Sequence, residues 1–187
     1  YQLTTIAKGL DHPWSIAFLP DGSMLVTERA GRLRVIRDGA LDPTPVSGVP
    51  PVYTAPGSAI RAAGQAGLFD VVLHPKFAEN HILYLTFANG DAGANATRVV
   101  RAKFDGHALS DVQAIFTAAP TKDTANHFGG RMVFLPDGTF LLTIGEGFEY
   151  REKAQDLSTD LGKIVHLNED GSVPSGNPFS GRQGARP

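Results

Sequence analysis

The stretch "NHFGGRMVFLPDGTFLLTIGEG", from Asn126 to Gly147, contains a turn that the chain carries twice. Its Phe-Leu-Pro-Asp-Gly motif also occurs in "FLPDGSMLVTE", from Phe18 to Glu28, followed by the same kind of apolar run. Between these copies, "VVLHPKFAENHILYLTFA", from Val71 to Ala88, repeats the layout of apolar run, Pro-containing turn and alternating strand. The chain therefore contains an internal repeat with three copies.

A second marker gives the period of this repeat. The segments RLRVIRDG, RVVRAKFDG and KIVHLNEDG end at Gly39, Gly106 and Gly171, which are 67 and 65 residues apart. Asp-Gly is a preferred pair in tight hairpins because both residues tolerate positive φ. Strands joined by such turns at a fixed spacing are typical of propeller blades. We therefore predict an all-β fold, a β-propeller of four-stranded antiparallel blades; the alternative is a β-sandwich with accidental repeats.

The repeat also predicts how the chain is divided. Blades are expected at about residues 10–45, 65–110 and 127–172 of a single domain, 1–187. Three blades do not close a ring, and an open stack leaves strand edges unpaired. The chain also ends in "NPFSGRQGARP", which is typical of a loop. The sequence thus favours the N-terminal half of a longer propeller, and the alternative is two copies that complete a ring together.

Composition limits the partners. Hydrophobic residues at 42% and charged residues at 19% are typical of a folded, water-soluble domain, and a net charge of -2 gives no reason to expect nucleic acid or an anionic membrane. The chain has no cysteine, so thiolate metal sites are excluded. No apolar run approaches the ~20 residues of a membrane helix. The chain starts at Tyr1 rather than Met, which predicts that an upstream segment such as a signal peptide has been removed.

Two polar residues occupy equivalent loops of the repeat. Gln65 precedes the apolar strand of the second unit and His127 precedes that of the third. In a propeller such loops converge around the axis, so we expect both side chains at one axial cavity. His127 can accept a proton near neutral pH, while Gln65 and Asn126 can orient a bound hydroxyl.

The basic residues nearby have two interpretations each. Arg131 is expected either to face a carboxylate-bearing ligand or to make a structural ion pair. Arg151, in the Gly-rich segment "GEGFEYREKAQDL", is the better candidate for an anionic cofactor. The remaining histidines lack metal-ligand spacing, and no EF-hand pattern occurs, so no metal ligands are predicted in this chain. Asn95 begins an Asn-Ala-Thr glycosylation triplet.

Four ordered segments resemble the soluble PQQ-dependent glucose dehydrogenase family, and in particular its aldose sugar dehydrogenase branch. They are "GLDHPWSIAFLPDGSMLVTERAGRLRVI", "GQAGLFDVVLHPKFAENHILYLTF", "NHFGGRMVFLPDGTFLLTIGE" and "AQDLSTDLGKIVHLNEDGSVPSGNPF". The resemblance implies a six-bladed propeller, periplasmic or secreted. It also implies oxidation of the C1 hydroxyl of aldoses to lactones with pyrroloquinoline quinone (PQQ) and Ca²⁺, and an external electron acceptor.

The resemblance also implies roles for single residues. His127 matches the general base of the family, and Gln65 matches the glutamine that hydrogen-bonds at the reacting centre. Asn126 stands where the glucose enzymes of the family have Asp. The aldose sugar branch commonly has Asn at this place, so the resemblance points to that branch. Arg151 most nearly matches an arginine that contacts the quinone, although its loop is about one residue longer. The family's calcium ligands and further basic contacts to the quinone are expected outside this chain.

Two other functional classes stay open at this stage. The same scaffold without redox activity is a binding module that recognises a sugar or a protein partner. A propeller lactonase or other metal hydrolase is a weaker alternative, because such enzymes are expected to carry several axial carboxylates, whereas these loops offer Gln, Asn and His.

Overall fold

Three antiparallel sheets form the regular structure of the computed structural model, which describes residues 1–55 and 64–187. Each strand pairs with the next one along the chain within its sheet. The first sheet contains β1 (Pro13–Phe18), β2 (Met24–Glu28), β3 (Arg32–Arg37) and β4 (Ala40–Leu41). The second contains β5 (Leu68–Leu73), β6 (Ile82–Gly90), β7 (Asn95–Phe104) and β8 (Leu109–Thr117), and the third β9 (Gly129–Phe134), β10 (Phe140–Ile144) and β11 (Lys163–Leu167). A short helix, α1 (Phe77–Asn80), and a 3₁₀ helix (Arg151–Gln155) lie in the connections.

The repeated Phe-Leu-Pro-Asp-Gly motif forms the same turn in the first and third sheets. The N–H groups of Leu19 and Leu135 each donate to the carbonyl oxygen four residues further on, at 2.8 Å. Gly22 and Gly138 have φ values of 86° and 87°, in the left-handed region that glycine adopts without a steric cost. The identical sequence therefore gives an identical backbone, whatever chemistry lies nearby.

The second sheet is buried on both faces. Along β6, Leu83 and Leu85 pack with residues of the first sheet, whereas Ile82 and Tyr84 pack with residues of the third. This is the period-two alternation of a strand whose two faces both contact neighbouring sheets. The far faces of the outer sheets remain open in the described part of the chain, where Phe18 and Ile164 are 68% and 65% exposed.

The first strands of the three sheets meet at one centre. In each sheet the N–H of one first-strand residue donates to a threonine hydroxyl of the second strand at 3.0 Å, in the pairs Ser15–Thr27, Asp70–Thr86 and Arg131–Thr143. The Ser15 hydroxyl donates to Asp70 Oδ1 at 2.5 Å, and the Arg131 guanidinium donates to the same oxygen at 3.1 Å. Equivalent positions of β1, β5 and β9 thus touch, so the sheets fan around a shared axis. The predicted all-β propeller is confirmed.

The sheets differ from the expected units in two details. The second sheet continues to Thr117, past residue 110, because the Asp-Gly turn at Gly106 leads into β8 instead of ending the unit. The third sheet has three strands rather than four in the described residues. After β11 the chain contains Pro174 and Pro178, which lack the N–H that a ladder requires, and the Asn177 side chain instead donates to the carbonyl of His166 at 3.0 Å.

Candidate functional site

The loops before β5 and β9 lie against each other. The N–H of His127 donates to Gln65 Oε1 at 2.9 Å, and the N–H of Gln65 donates to the carbonyl of Ala125 at 2.6 Å. Since both loops enter the innermost strand of their sheet, they lie at the same end of the axis. The structure therefore brings together the two residues that repeat symmetry singled out. We call residues 123–128 the His127 loop.

His127 is held in an unusual backbone conformation. Its φ is 47°, in the left-handed region that side chains other than glycine adopt rarely and at a cost. The carbonyl of His127 accepts a hydrogen bond from the N–H of Gly147 at 3.3 Å. A Cβ on Gly145 would collide with that same carbonyl oxygen, so the backbones pack closely. We call residues 145–148, which follow β10, the Glu146 loop.

Glu146 is the residue that sequence reasoning missed. Its Oε1 lies 2.6 Å from Nδ1 of His127, and both side chains are partly buried. Burial alone raises the pKa of Glu146, but hydrogen bonds from its own backbone N–H and from His127 outweigh this effect and hold that pKa below its usual value. Glu146 follows β10, and β10 pairs antiparallel with β9, which the His127 loop enters. This hairpin order in the sequence could have predicted that Glu146 lies near His127.

This contact determines how the imidazole of His127 is used. An ionised carboxylate only accepts hydrogen bonds, so Nδ1 of the neutral ring carries the proton and its N–H donates a hydrogen bond to Glu146. The other nitrogen, Nε2, is then the proton acceptor. The His127 side chain is 38% exposed, which leaves the ring accessible from the solvent side. The arrangement is that of a positioned general base with a carboxylate behind it.

The other two candidates lie around this pair. Asn126 is partly buried, and no hydrogen bond joins its side chain to another residue within 1–55 or 64–187. Arg151 begins the 3₁₀ helix and is exposed, with its guanidinium 4.3 Å from the ring centroid of Phe148. The Phe148 ring in turn lies 5.3 Å from the His127 ring, edge to face at 88°. Arg151 therefore reaches the site through Phe148 and has no direct contact with His127.

Arg131 makes the structural ion pair. It contacts the Asp70 carboxylate and lies 4.3 Å from the ring centroid of Trp14. Asn95 is fully buried, and its amide donates to the carbonyl of Asp91 at 2.9 Å, so the glycosylation triplet is inaccessible in the folded protein.

In the described part of the chain, the His127–Glu146 pair belongs to no metal-ligand cluster and lies outside the main groove. Among the described residues, no group of three or more His, Cys, Asp or Glu side chains is placed to hold a metal ion. A groove of about 720 Å³ lies between the first two sheets and is lined by Leu19, Phe77 and Phe104. Leu19 follows β1, Phe77 follows β5 and Phe104 is the last residue of β7. His127 precedes its strand, so the groove is at the opposite end of the molecule. No helix within 1–55 and 64–187 is long and apolar enough to cross a bilayer.

Blades around an axis define a propeller, and the histidine hydrogen-bonded to a carboxylate marks a candidate site at one end of that axis. The sequence profile of the Glucose / Sorbosone dehydrogenase family matches residues 10–187, and the chain belongs to that family.

Two of three similar proteins carry dehydrogenase names. An uncharacterized protein of Synechocystis is 46% identical over 97% of this chain and 46% of its own length. The aldose sugar dehydrogenase YliI of Escherichia coli is 42% identical over 95% of this chain and 46% of its own length. The PQQ-bound aldose sugar dehydrogenase of Streptomyces coelicolor superposes with a TM-score of 0.78 at 32% identity, over 96% of this chain and 51% of that one. The chain therefore spans about half the length of these relatives.

Proposed function

We propose that the protein is an oxidoreductase that oxidises the C1 hydroxyl of an aldose to the lactone. The observation that carries this proposal is the His127–Glu146 pair, whose 2.6 Å contact leaves Nε2 of the imidazole as a proton acceptor, while Gln65 accepts a hydrogen bond from the backbone N–H of His127. Loss of the hydroxyl proton to a base makes departure of the C1 hydride easier, so the reaction requires a base at this position. Membership of the family supports the substrate class.

Each residue of the site has one task in this proposal. His127 accepts the C1 hydroxyl proton at Nε2. Glu146 fixes the tautomer of the ring and stabilises the imidazolium that results. Gln65 holds the backbone of His127 through its side-chain oxygen, which leaves its amide nitrogen to donate to the sugar. Asn126 supplies a second neutral hydrogen-bonding group at the reacting end.

The cofactors proposed are PQQ and Ca²⁺. PQQ would supply the acceptor for the hydride and Ca²⁺ would supply Lewis acidity, with Arg151 of this chain as the residue that would hold the quinone carboxylates. Arg151 fits a carboxylated aromatic cofactor, because its guanidinium is exposed and already stacked on Phe148. The proposal places the calcium ligands outside this chain, in a second half of the propeller or in a second copy. It also includes an external electron acceptor and a periplasmic or secreted location.

The experiment is a dye-reduction assay of the full-length protein with PQQ, Ca²⁺ and a panel of aldoses. We expect aldose-dependent dye reduction that falls by at least about 10³-fold in His127→Ala, because the base is lost. Titration of the variant with PQQ should show that cofactor binding is retained. His107→Ala is the matched control, since His107 is exposed in the β7–β8 turn, and it should keep full activity.

The opposite results identify the alternatives. Sugar binding without PQQ and without dye reduction would support a non-catalytic propeller module that binds a sugar. Binding of neither PQQ nor sugar would exclude the axial site itself.

A further inference from the structure

A buried lysine lies beneath the two loops that carry the His127–Glu146 pair. Lys122 is 3% exposed, although lysine is rarely buried without a specific partner. Its ammonium donates to Asn95 Oδ1 at 2.9 Å and to the carbonyl of Thr124 at 2.6 Å. It also lies 3.4 Å from the ring centroid of Phe128, the residue after His127. The ammonium thus contacts the His127 loop at two places.

The same side chain supports the Glu146 loop. A Cβ on Gly147 would lie 2.6 Å from Cδ of Lys122, so the lysine stem packs directly against the backbone of that loop. The hydroxyl of Thr124 donates to the carbonyl of Gly147 at 2.6 Å. Lys122 therefore holds Thr124, and Thr124 holds the loop that bears the carboxylate.

The position of Lys122 is fixed from its other side by β7. The N–H of Lys122 donates to the carbonyl of Asn95 at 2.8 Å, and the N–H of Asn95 donates to the carbonyl of Lys122 at 2.7 Å. Because Asn95 begins β7 in the second sheet, this bridge attaches the His127 loop to a rigid element of the neighbouring blade.

Charge at this position has an energetic cost. Burial lowers the pKa of Lys122 to about 8, against weaker opposing effects of Asp123 and Glu146. Desolvation penalises the charged form of a lysine in such an environment, so burial of Lys122 opposes its ionisation. A buried, strongly shifted group beside a candidate site points to a role in that site.

We propose that Lys122 is a positioning residue that holds the His127 loop and the Glu146 loop in register, so that the 2.6 Å contact between imidazole and carboxylate is kept. Its importance for turnover rests on the proposed function. Its effect on the pair does not, because the hydrogen bond between His127 and Glu146 is measurable without substrate or cofactor.

The test uses Lys122→Met in the full-length protein, which keeps the side-chain length and removes the ammonium. Proton NMR of histidine-labelled protein detects the low-field Nδ1 proton of His127, identified by its loss in His127→Gln. We expect this resonance to be lost or broadened in Lys122→Met, with kcat reduced about 10- to 100-fold and KM changed by less than about threefold. Lys122→Arg, which keeps the charge and the donors, should restore part of both.

Lys103→Met is the matched control, because Lys103 lies on β7 as an exposed residue paired with Asp111, and it should change neither readout. An unchanged His127 resonance in a folded Lys122→Met protein overturns the proposal, whatever happens to stability.

Should Lys122→Met not fold, Thr124→Val tests the same support, since it removes the hydroxyl that bridges to Gly147 and keeps the shape of the side chain. A retained resonance with unchanged kcat in Thr124→Val likewise overturns it. If the wild type shows the resonance but reduces no dye, the proposed dehydrogenase function fails. The comparison of the His127 resonance between wild type and Lys122→Met still decides whether Lys122 positions the pair.

Discussion

At the scale of single residues, the site depends on one charged contact with a defined geometry. In the proposed reaction the imidazole of His127 acts as a base through Nε2, and Glu146 sets the tautomer and the orientation of the neutral ring. Neither residue is fully buried, so the pair remains in contact with solvent and its carboxylate keeps its charge at neutral pH. The strained backbone of His127 and its neighbours indicates that the surrounding loops enforce this arrangement.

Glu146→Gln is expected to lower kcat about 10²-fold without preventing folding, because an amide can present its N–H to Nδ1 and favour the wrong tautomer.

The same variant tests the pH dependence of stability. The folded-state pKa of Glu146 is lowered, so its stabilising contribution is present above the unfolded value of about 4.5 and is lost as pH falls through the folded value.

Urea unfolding between pH 7 and pH 3 measures this effect. The free energy of unfolding of the wild type should fall more than that of Glu146→Gln as the solution becomes acidic. Parallel curves for the two proteins would contradict the assigned contact. Glu149→Gln, an exposed neighbour three residues further on, is the control.

At the scale of elements, strand order and loop contacts place the site. The loops before β5 and β9 meet because those strands are innermost in adjacent sheets, and the loop after β10 meets them because β10 pairs with β9. Glycine permits the closest approach: Gly145 packs against the carbonyl of His127 with no room for a side chain. The end of β10 at Ile144 therefore places the Glu146 side chain beside the His127 ring.

Gly145→Ala is expected to displace the His127 loop, because the added methyl group has to occupy the volume of a backbone carbonyl. We expect a loss of about 1–3 kcal/mol in the free energy of unfolding and a fall in kcat of at least 10-fold. Chemical denaturation and the dye assay measure the two effects. Gly176→Ala has open space around it and no left-handed φ, so it should change neither. Equal stability of both variants would show that the loops pack less tightly than described.

At the scale of the whole molecule, the blades are joined by polar contacts at the axis as well as by apolar layers between the sheets. Asp70 is the centre of these contacts: it is buried and accepts hydrogen bonds from Ser15, from Arg131 and from the N–H of Met132 at 3.0 Å. One carboxylate from the second sheet therefore holds residues of both neighbouring sheets.

Asp70→Ala is expected to destabilise the fold by about 2–4 kcal/mol, because it leaves donors from two other sheets without their shared acceptor. Asp111→Ala removes an exposed carboxylate whose ion pair with Lys103 contributes less than about 1 kcal/mol. Thermal unfolding of the two variants should differ clearly in midpoint. Similar midpoints would mean that the axial contacts contribute little and that the apolar layers alone hold the sheets together.

The sequence by itself determined the repeat, the turns and the proximity of Gln65 to His127, because these depend on local backbone preferences and on a period that applies to every copy. The described segment after β11 departs from that period: it contains Pro174 and Pro178 and forms no strand, and the Asn177 side chain donates to the carbonyl of His166. Only the tertiary structure revealed Glu146 and Lys122 at the site. Glu146 contacts His127 directly, whereas Lys122 contacts Thr124 and Phe128 on either side of it. These contacts depend on left-handed φ values, close glycine packing and pairing with a neighbouring blade, which spacing along the chain does not encode.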